Sequence, residues 1–211
     1  MTSDVPTQTP PNSETSTQSS KGLSPWRLWV PLLLQTALIV AVPAHNAYTY
    51  LTGQRIVLQT IPADPYDPLQ GPYQTLSYEI SRWDRLQMLP GGKELFGQHQ
   101  NNHHFSFYLV LEAPILKAVT ATMPWQPVRV IAEHPTDLAT HQIALKGQAR
   151  GQRITYGIET YYMPEERRDR VNNDIIRVQN RGNNFVVEAR VDERGNAIPV
   201  SLWVGDRNYR F

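Results

Sequence analysis

Cysteine is missing from all 211 residues. Disulfides, thiolate metal sites and cysteine nucleophiles are therefore excluded, and a domain of this size can be stable without cross-links. An excess of charge of one sign is missing too: 20 Lys and Arg face 19 Asp and Glu, for a formal net charge of +1. No basic field points to nucleic acid as a partner. Lysine is scarce beyond residue 53, where Lys93, Lys117 and Lys146 are the whole supply. A serine–lysine hydrolase needs a buried neutral lysine beside a serine, and no serine stands in a recognisable nucleophile setting. With 17 prolines and 12 glycines, the composition favours short strands joined by turns over long helices.

What is present falls into three segments. Residues 1–24 are rich in Thr, Ser, Gln and Pro and carry almost nothing to bury, so they read as a disordered tail. Residues 25–50 read as a transmembrane signal-anchor helix. From Leu28 to Ala44 there is no charge and one amide, Gln35. With Trp26 and Trp29 at one end and Tyr48 and Tyr50 at the other, the span approaches the ~20 residues that cross a bilayer as a helix. Lys21 and Arg27 precede it and Arg55 is the first cation after it, which favours a cytoplasmic N-terminus and an extracytoplasmic C-terminal domain. Pro31 is expected in the first helical turn and Pro43 near the end. Two rival readings are a cleaved signal peptide, with Val42-Pro43-Ala44 as a loose cleavage site, and a buried core helix. The long polar leader and the proline beside the scissile bond speak against cleavage. Ala37 and Ala41, at i and i+4, would let the helix pack closely against a partner helix in a purely structural subunit.

Residues 53–211 carry a period of two. Strands are expected at 55–61, 75–80, 105–111, 128–132, 142–145 and 153–161. Segments 185–191 and 197–204 flank Asp192-Glu193-Arg194-Gly195-Asn196, which has hairpin chemistry. Met163-Pro164-Glu165-Glu166 opens a short helix over 165–176, with Val171, Ile175 and Ile176 as its apolar contacts. The sum is a mainly β domain of the α+β class, antiparallel, with one or two short helices and room for a partly closed barrel.

The stretch GPYQTLSY, from Gly71 to Tyr78, resembles the signature of the bacterial GDYXXLXY family. Gly71, Tyr73, Leu76 and Tyr78 match, and Pro72 stands where that signature has aspartate. The Asp-Pro-rich approach PADPYDPLQ, the later YYMPEE and the closing hairpin fit as well. The resemblance implies a membrane-anchored protein of unknown activity. It brings no reaction with it, and Pro72 removes any metal or base role that the aspartate would serve.

Read as chemistry, the motif places Leu76 and Tyr78 on one strand face and Tyr73 on the other, after a proline-limited turn. Strand anchoring is its first explanation and a binding surface its second, with Tyr73 and Tyr78 as rim and floor. Asp64 and Asp67 could hold a cation with neighbouring carbonyls, although turn capping explains them more cheaply. His99, His103 and His104 form the best metal candidate, in a polar, amide-rich segment that reads first as a solvated loop. Glu159, Glu165, Glu166 and Asp169 alternate with arginines and read as a solvated, salt-bridged surface. No cofactor is implied. The preferred reading is a single-pass membrane protein whose β-rich domain binds another envelope or membrane protein. A metal-assisted or serine–lysine envelope hydrolase is the alternative.

Overall fold

The computed structural model describes residues 26–61, 73–99, 104–114, 123–180 and 185–210. It divides into two compact units, Met1–Ala41 and Val42–Phe211. The first helix, α1, runs Trp26–Thr52 without a charged residue in its last turn. Its C-terminal turns from Val42 onward group with the β-rich unit rather than with the residues before them. The helix starts more than one turn before Pro31 and runs two residues past the expected end, so Pro31 and Pro43 both lie in its interior. Each removes one backbone hydrogen bond, a loss that helices in apolar surroundings tolerate through local adjustment.

The β-rich unit is α+β with antiparallel pairing throughout, and the described strands close no barrel. Strand β1 (Gln54–Ile61) pairs with β9 (Val186–Val191), and β9 pairs with β10 (Ala197–Val204). With β3 (Ser77–Tyr78) beside β1 and β11 (Arg207–Tyr209) beside β10, they form a five-stranded sheet ordered β11-β10-β9-β1-β3. The second sheet is ordered β5-β4-β6-β7, from β5 (Gln126–Ile131), β4 (Phe105–Glu112), β6 (Gln142–Arg150) and β7 (Arg153–Thr155). One apolar cluster takes side chains from both: Ile56, Leu58, Val187 and Leu202 from the first, Phe107, Leu109, Leu111 and Leu145 from the second. The period-two pattern of these segments places them there. Gly147 lies opposite Phe107 in the ladder, and a Cβ on it would stand 2.5 Å from the ring, so the phenyl group fills the missing side chain's place.

Two expected strands are each split. In the segment 75–80, β2 (Tyr73–Thr75) pairs with β8 (Thr160–Tyr162), whereas β3 joins β1 and a 3-10 turn follows at Glu79–Ser81. The alternation survives the break, because Leu76, Tyr78 and Ile80 are all buried. The segment 153–161 is interrupted at Gly157, whose φ of 81° turns the chain between β7 and β8. Two short helices, α2 (Trp83–Met88) and α3 (Gly92–Gln98), bury Leu86 and Phe96. The Trp83 and Phe96 rings lie 4.6 Å apart. The expected helix is α4 (Glu165–Asn180), in which Val171 and Ile175 are buried but Ile176 faces outward. Its Asp174 accepts hydrogen bonds from Arg177 at 3.1 Å, from Arg207 at 2.6 Å and from the Tyr209 hydroxyl, tying α4 to β11. The Tyr209 hydrogen bond foremost, with Arg207 beside it, holds that carboxyl below the usual carboxylate range against the opposing effect of desolvation.

The β9–β10 hairpin turn is seated against the backbone of β6, along the part of that strand that β7 does not pair with. The Lys146 amide donates to the Gly195 carbonyl at 2.9 Å. Gly195 has φ of 83°, and a Cβ there would meet Ala144 O and Lys146 N at 3.0 Å. Gly195→Ala should therefore cost the β-rich unit about 1–2 kcal/mol for the left-handed conformation, plus contact strain. Urea unfolding of the detergent-solubilised protein checks this; an unshifted midpoint would show that the turn is not seated as described.

Candidate functional site

The last turns of α1 are fastened to the hairpin through one carboxylate. Asp192 is buried, and its Oδ1 accepts the backbone N–H groups of Arg194 at 2.9 Å and Asn196 at 2.8 Å. Its Oδ2 accepts the Thr49 hydroxyl at 3.2 Å and the Asn196 amide at 3.1 Å. The His45 Nε2 stands 4.0 Å away. Burial works against the charge, but the bonds from Asn196, Arg194 and Thr49 outweigh it and hold the carboxyl below its ordinary range. Nearby, Arg190 donates to the Gly53 carbonyl at 2.9 Å and lies 5.8 Å from the Tyr50 ring. The Arg210 guanidinium donates to the Tyr50 hydroxyl.

Beside this clasp opens a cleft of about 370 Å³. His45 and Asn46 of α1, Lys146 and Gln148 of β6, Asn196 of the hairpin and Glu159 of the turn before β8 line it. Lys146 and Gln148 alternate with the buried Leu145, Gly147 and Ala149, which is why they reach this face. Among the described residues, no carboxylate stands within ion-pair distance of the Lys146 ammonium. Glu159 is aimed by its own turn: its two carboxylate oxygens accept the N–H groups of Tyr156 at 2.5 Å and Gly157 at 2.9 Å.

The motif strand braces that turn from behind. The Leu76 amide donates to the Glu159 carbonyl at 2.7 Å, and the Tyr78 hydroxyl donates to the Ile158 carbonyl at 2.7 Å. Reciprocally, the Tyr156 hydroxyl donates to the Ile80 carbonyl at 2.6 Å. Burial first, and the Glu159 charge second, push both phenols well above their ordinary range, so each remains a neutral donor.

A family match follows the same residues. The family model for the GDYXXLXY protein matches residues 35–202, most of the chain. The chain belongs to the GDYXXLXY family. No curated protein and no solved structure matches it. In this GDYXXLXY protein the Leu and the final Tyr of the signature are core residues, with Leu76 at 1% and Tyr78 at 0% exposure. The rim-and-floor role expected of Tyr78 thus has no exposed atoms to rest on. Tyr73 begins β2 opposite Tyr162. Asp64, Asp67, Gly71, Pro72 and His103 lie outside the described residues.

The histidines show no common centre among the described residues. His99 Nδ1 contacts the Leu95 carbonyl at 2.8 Å and its ring stacks on Phe105, while His104 is exposed. No three described His, Asp or Glu side chains are grouped to hold a metal ion. Nor does a described serine line the Lys146 cleft, where Thr155 supplies a hydroxyl. Sequence reasoning weighed Lys146 only as a hydrolase lysine and missed its place beside Glu159, which sits on a turn and not on the charged surface of α4. The spacing Gly157-x-Glu159 was the available signal, since a carboxylate two residues after a turn glycine can bond back to the backbone.

Asp192 yields a pH prediction. Its folded pKa is depressed, so its contribution is fully present above the unfolded value of about 3.9 and fades as pH falls through the lower folded value. Between about pH 5 and pH 3 the melting temperature of the wild type should fall more steeply than that of Asp192→Asn, which starts lower at neutral pH. Parallel curves from calorimetry would remove the carboxylate from the clasp.

Proposed function

We propose that this GDYXXLXY protein is held in a bilayer by α1 and acts as an extracytoplasmic binding module. The observation that carries the reading is α1 itself. At ~1.5 Å per residue its 27 residues span about 40 Å, enough to cross a hydrocarbon core and both interfaces. Its apolar side chains point outward, with Leu38 at 65% and Ile39 at 66% exposure. Outside lipid or a protein partner such a surface is strongly unfavourable, at about 25 cal/mol per Å² left in water. The exposed aromatic side chains of Trp26, Trp29 and Tyr48 suit the two interfaces. Lys21 and Arg27 before the span support a cytoplasmic N-terminus.

The domain's part in binding is supported by two features. One is the polar cleft at the base of α1. The other is the β2–β8 ribbon, which stands outside both larger sheets among the described strands and carries the largely exposed Tyr162, an aromatic side chain of the kind that contacts an envelope or membrane protein. Asp64, Asp67, Gly71 and Tyr73, leading into β2, are proposed as contacts of that second surface. Leu76 and Tyr78 serve it indirectly by holding the strand.

Full-length protein should remain in the membrane pellet after an alkaline carbonate wash and require detergent for release. A reporter fused after Phe211 should be active on the extracytoplasmic side. Recovery of the untreated chain in the soluble fraction, or a C-terminal tag reached solely from the cell interior, defeats the reading.

A further inference from the structure

The cleft at the base of α1 carries charges of both signs that do not neutralise each other. Lys146 and Glu159 line the same space, yet no ion pair joins them. A plain anion would meet the Glu159 carboxylate, and a plain cation would meet the Lys146 ammonium. A ligand with one group of each sign satisfies both. We propose that the cleft binds a phosphate group linked to a primary ammonium, the headgroup chemistry of a phosphoethanolamine lipid.

The polar groups match that assignment in kind. Asn46 and Gln148 offer amide N–H groups that join Lys146 as donors to phosphate oxygens. The Asn196 amide nitrogen is committed to Asp192, leaving its carbonyl oxygen as an acceptor. Each Glu159 oxygen already holds one backbone N–H but retains a lone pair for an ammonium hydrogen. A primary ammonium can donate to these acceptors, whereas a quaternary one cannot. The volume, about 370 Å³, suits a small polar group and not a folded partner.

Position supplies the lipid as its source, a step that rests on the anchor reading. The run from Leu28 that is apolar but for Gln35 and Thr36 ends at Ala44, and the next two residues, His45 and Asn46, line the cleft. At ~1.5 Å per residue the cleft-lining part of the helix lies within one turn of the apolar end, where headgroups sit.

The test is native mass spectrometry of the full-length protein in detergent, after incubation with equal amounts of phosphatidylethanolamine, phosphatidylcholine and phosphatidylglycerol. One phosphatidylethanolamine should be retained, with about tenfold preference over the other two, and Lys146→Gln and Glu159→Gln should each reduce retention about tenfold. Glu159→Gln also disturbs its turn, so Lys146→Gln, whose backbone pairing is untouched, is decisive. Equal retention of the three lipids overturns the proposal, as does unchanged retention in Lys146→Gln. Calorimetric titration with soluble phosphoethanolamine separates the sources: binding without lipid retention assigns the cleft to a free molecule of the same chemistry, and binding of neither ends it. Failure of the anchor reading shows separately, as a protein that leaves the membrane pellet without detergent.

Discussion

The buried carboxylate of Asp192 is the constraint around which the base of the domain is arranged. A lone charge in that position would be costly, and it is tolerated because four donors from two parts of the chain surround it. Two of them are backbone amides of its own hairpin, so the turn and the charge shape one another. The Thr49 hydroxyl brings in α1, and Gly195 carries the arrangement onward to β6 through the Lys146 amide. One ionised group thereby joins the end of the helix, the first sheet and the backbone of β6 in the second. Arg190 and Arg210 around Tyr50 add a second tie to the same helical turns.

The family signature acts in a less direct way than its composition suggests. A glycine and two tyrosines in a short stretch invite a reading as a binding wall, yet Tyr78 is enclosed and its hydroxyl is spent on a backbone carbonyl. That hydroxyl, the Leu76 amide and the Tyr156 hydroxyl form three bonds between the motif strand and the turn that presents Glu159. A buried phenol in this setting is worth its single hydrogen bond, about 1 kcal/mol net, plus the larger burial of its ring. The signature thus shapes the cleft without touching what the cleft would hold, and a change at Tyr78 would act on Glu159 through the backbone.

Elements with a sustained local pattern were legible in the sequence. The alternation of Phe107, Leu109 and Leu111, the hairpin around Gly195 and the apolar run of α1 each declare themselves within a dozen residues. Strand pairing was not legible where one period-two segment serves two sheets: nothing local tells Thr75 to face β8 and Ser77 to face β1. Helices α2 and α3 span six and seven residues, too short for a helical period to show against Pro90 and two glycines. Pro43 was misplaced because the helix runs on to Thr52, where contacts with the domain hold its end, and Pro31 because the helix already begins at Trp26. The cleft was hidden for a further reason. Its members, from His45 to Asn196, are brought together by tertiary contacts, and no spacing in the sequence announces them.

Clasp and cleft share parts, and this has an energetic consequence. His45 approaches Asp192 and also lines the cleft; Asn196 likewise donates to Asp192 and lines the cleft. A ligand that needs both residues in place binds the clasped form alone, so by linkage it stabilises the clasp by RT ln(1 + [L]/Kd). At a hundredfold excess over Kd this amounts to about 2.7 kcal/mol, comparable to the charge-assisted bonds that hold Asp192. Releasing α1 from the hairpin would in turn dismantle the cleft wall. For a ligand of that kind, docking of the last turns of α1 on the hairpin and occupation of the cleft would form a single equilibrium, with Asp192 as the group through which each favours the other.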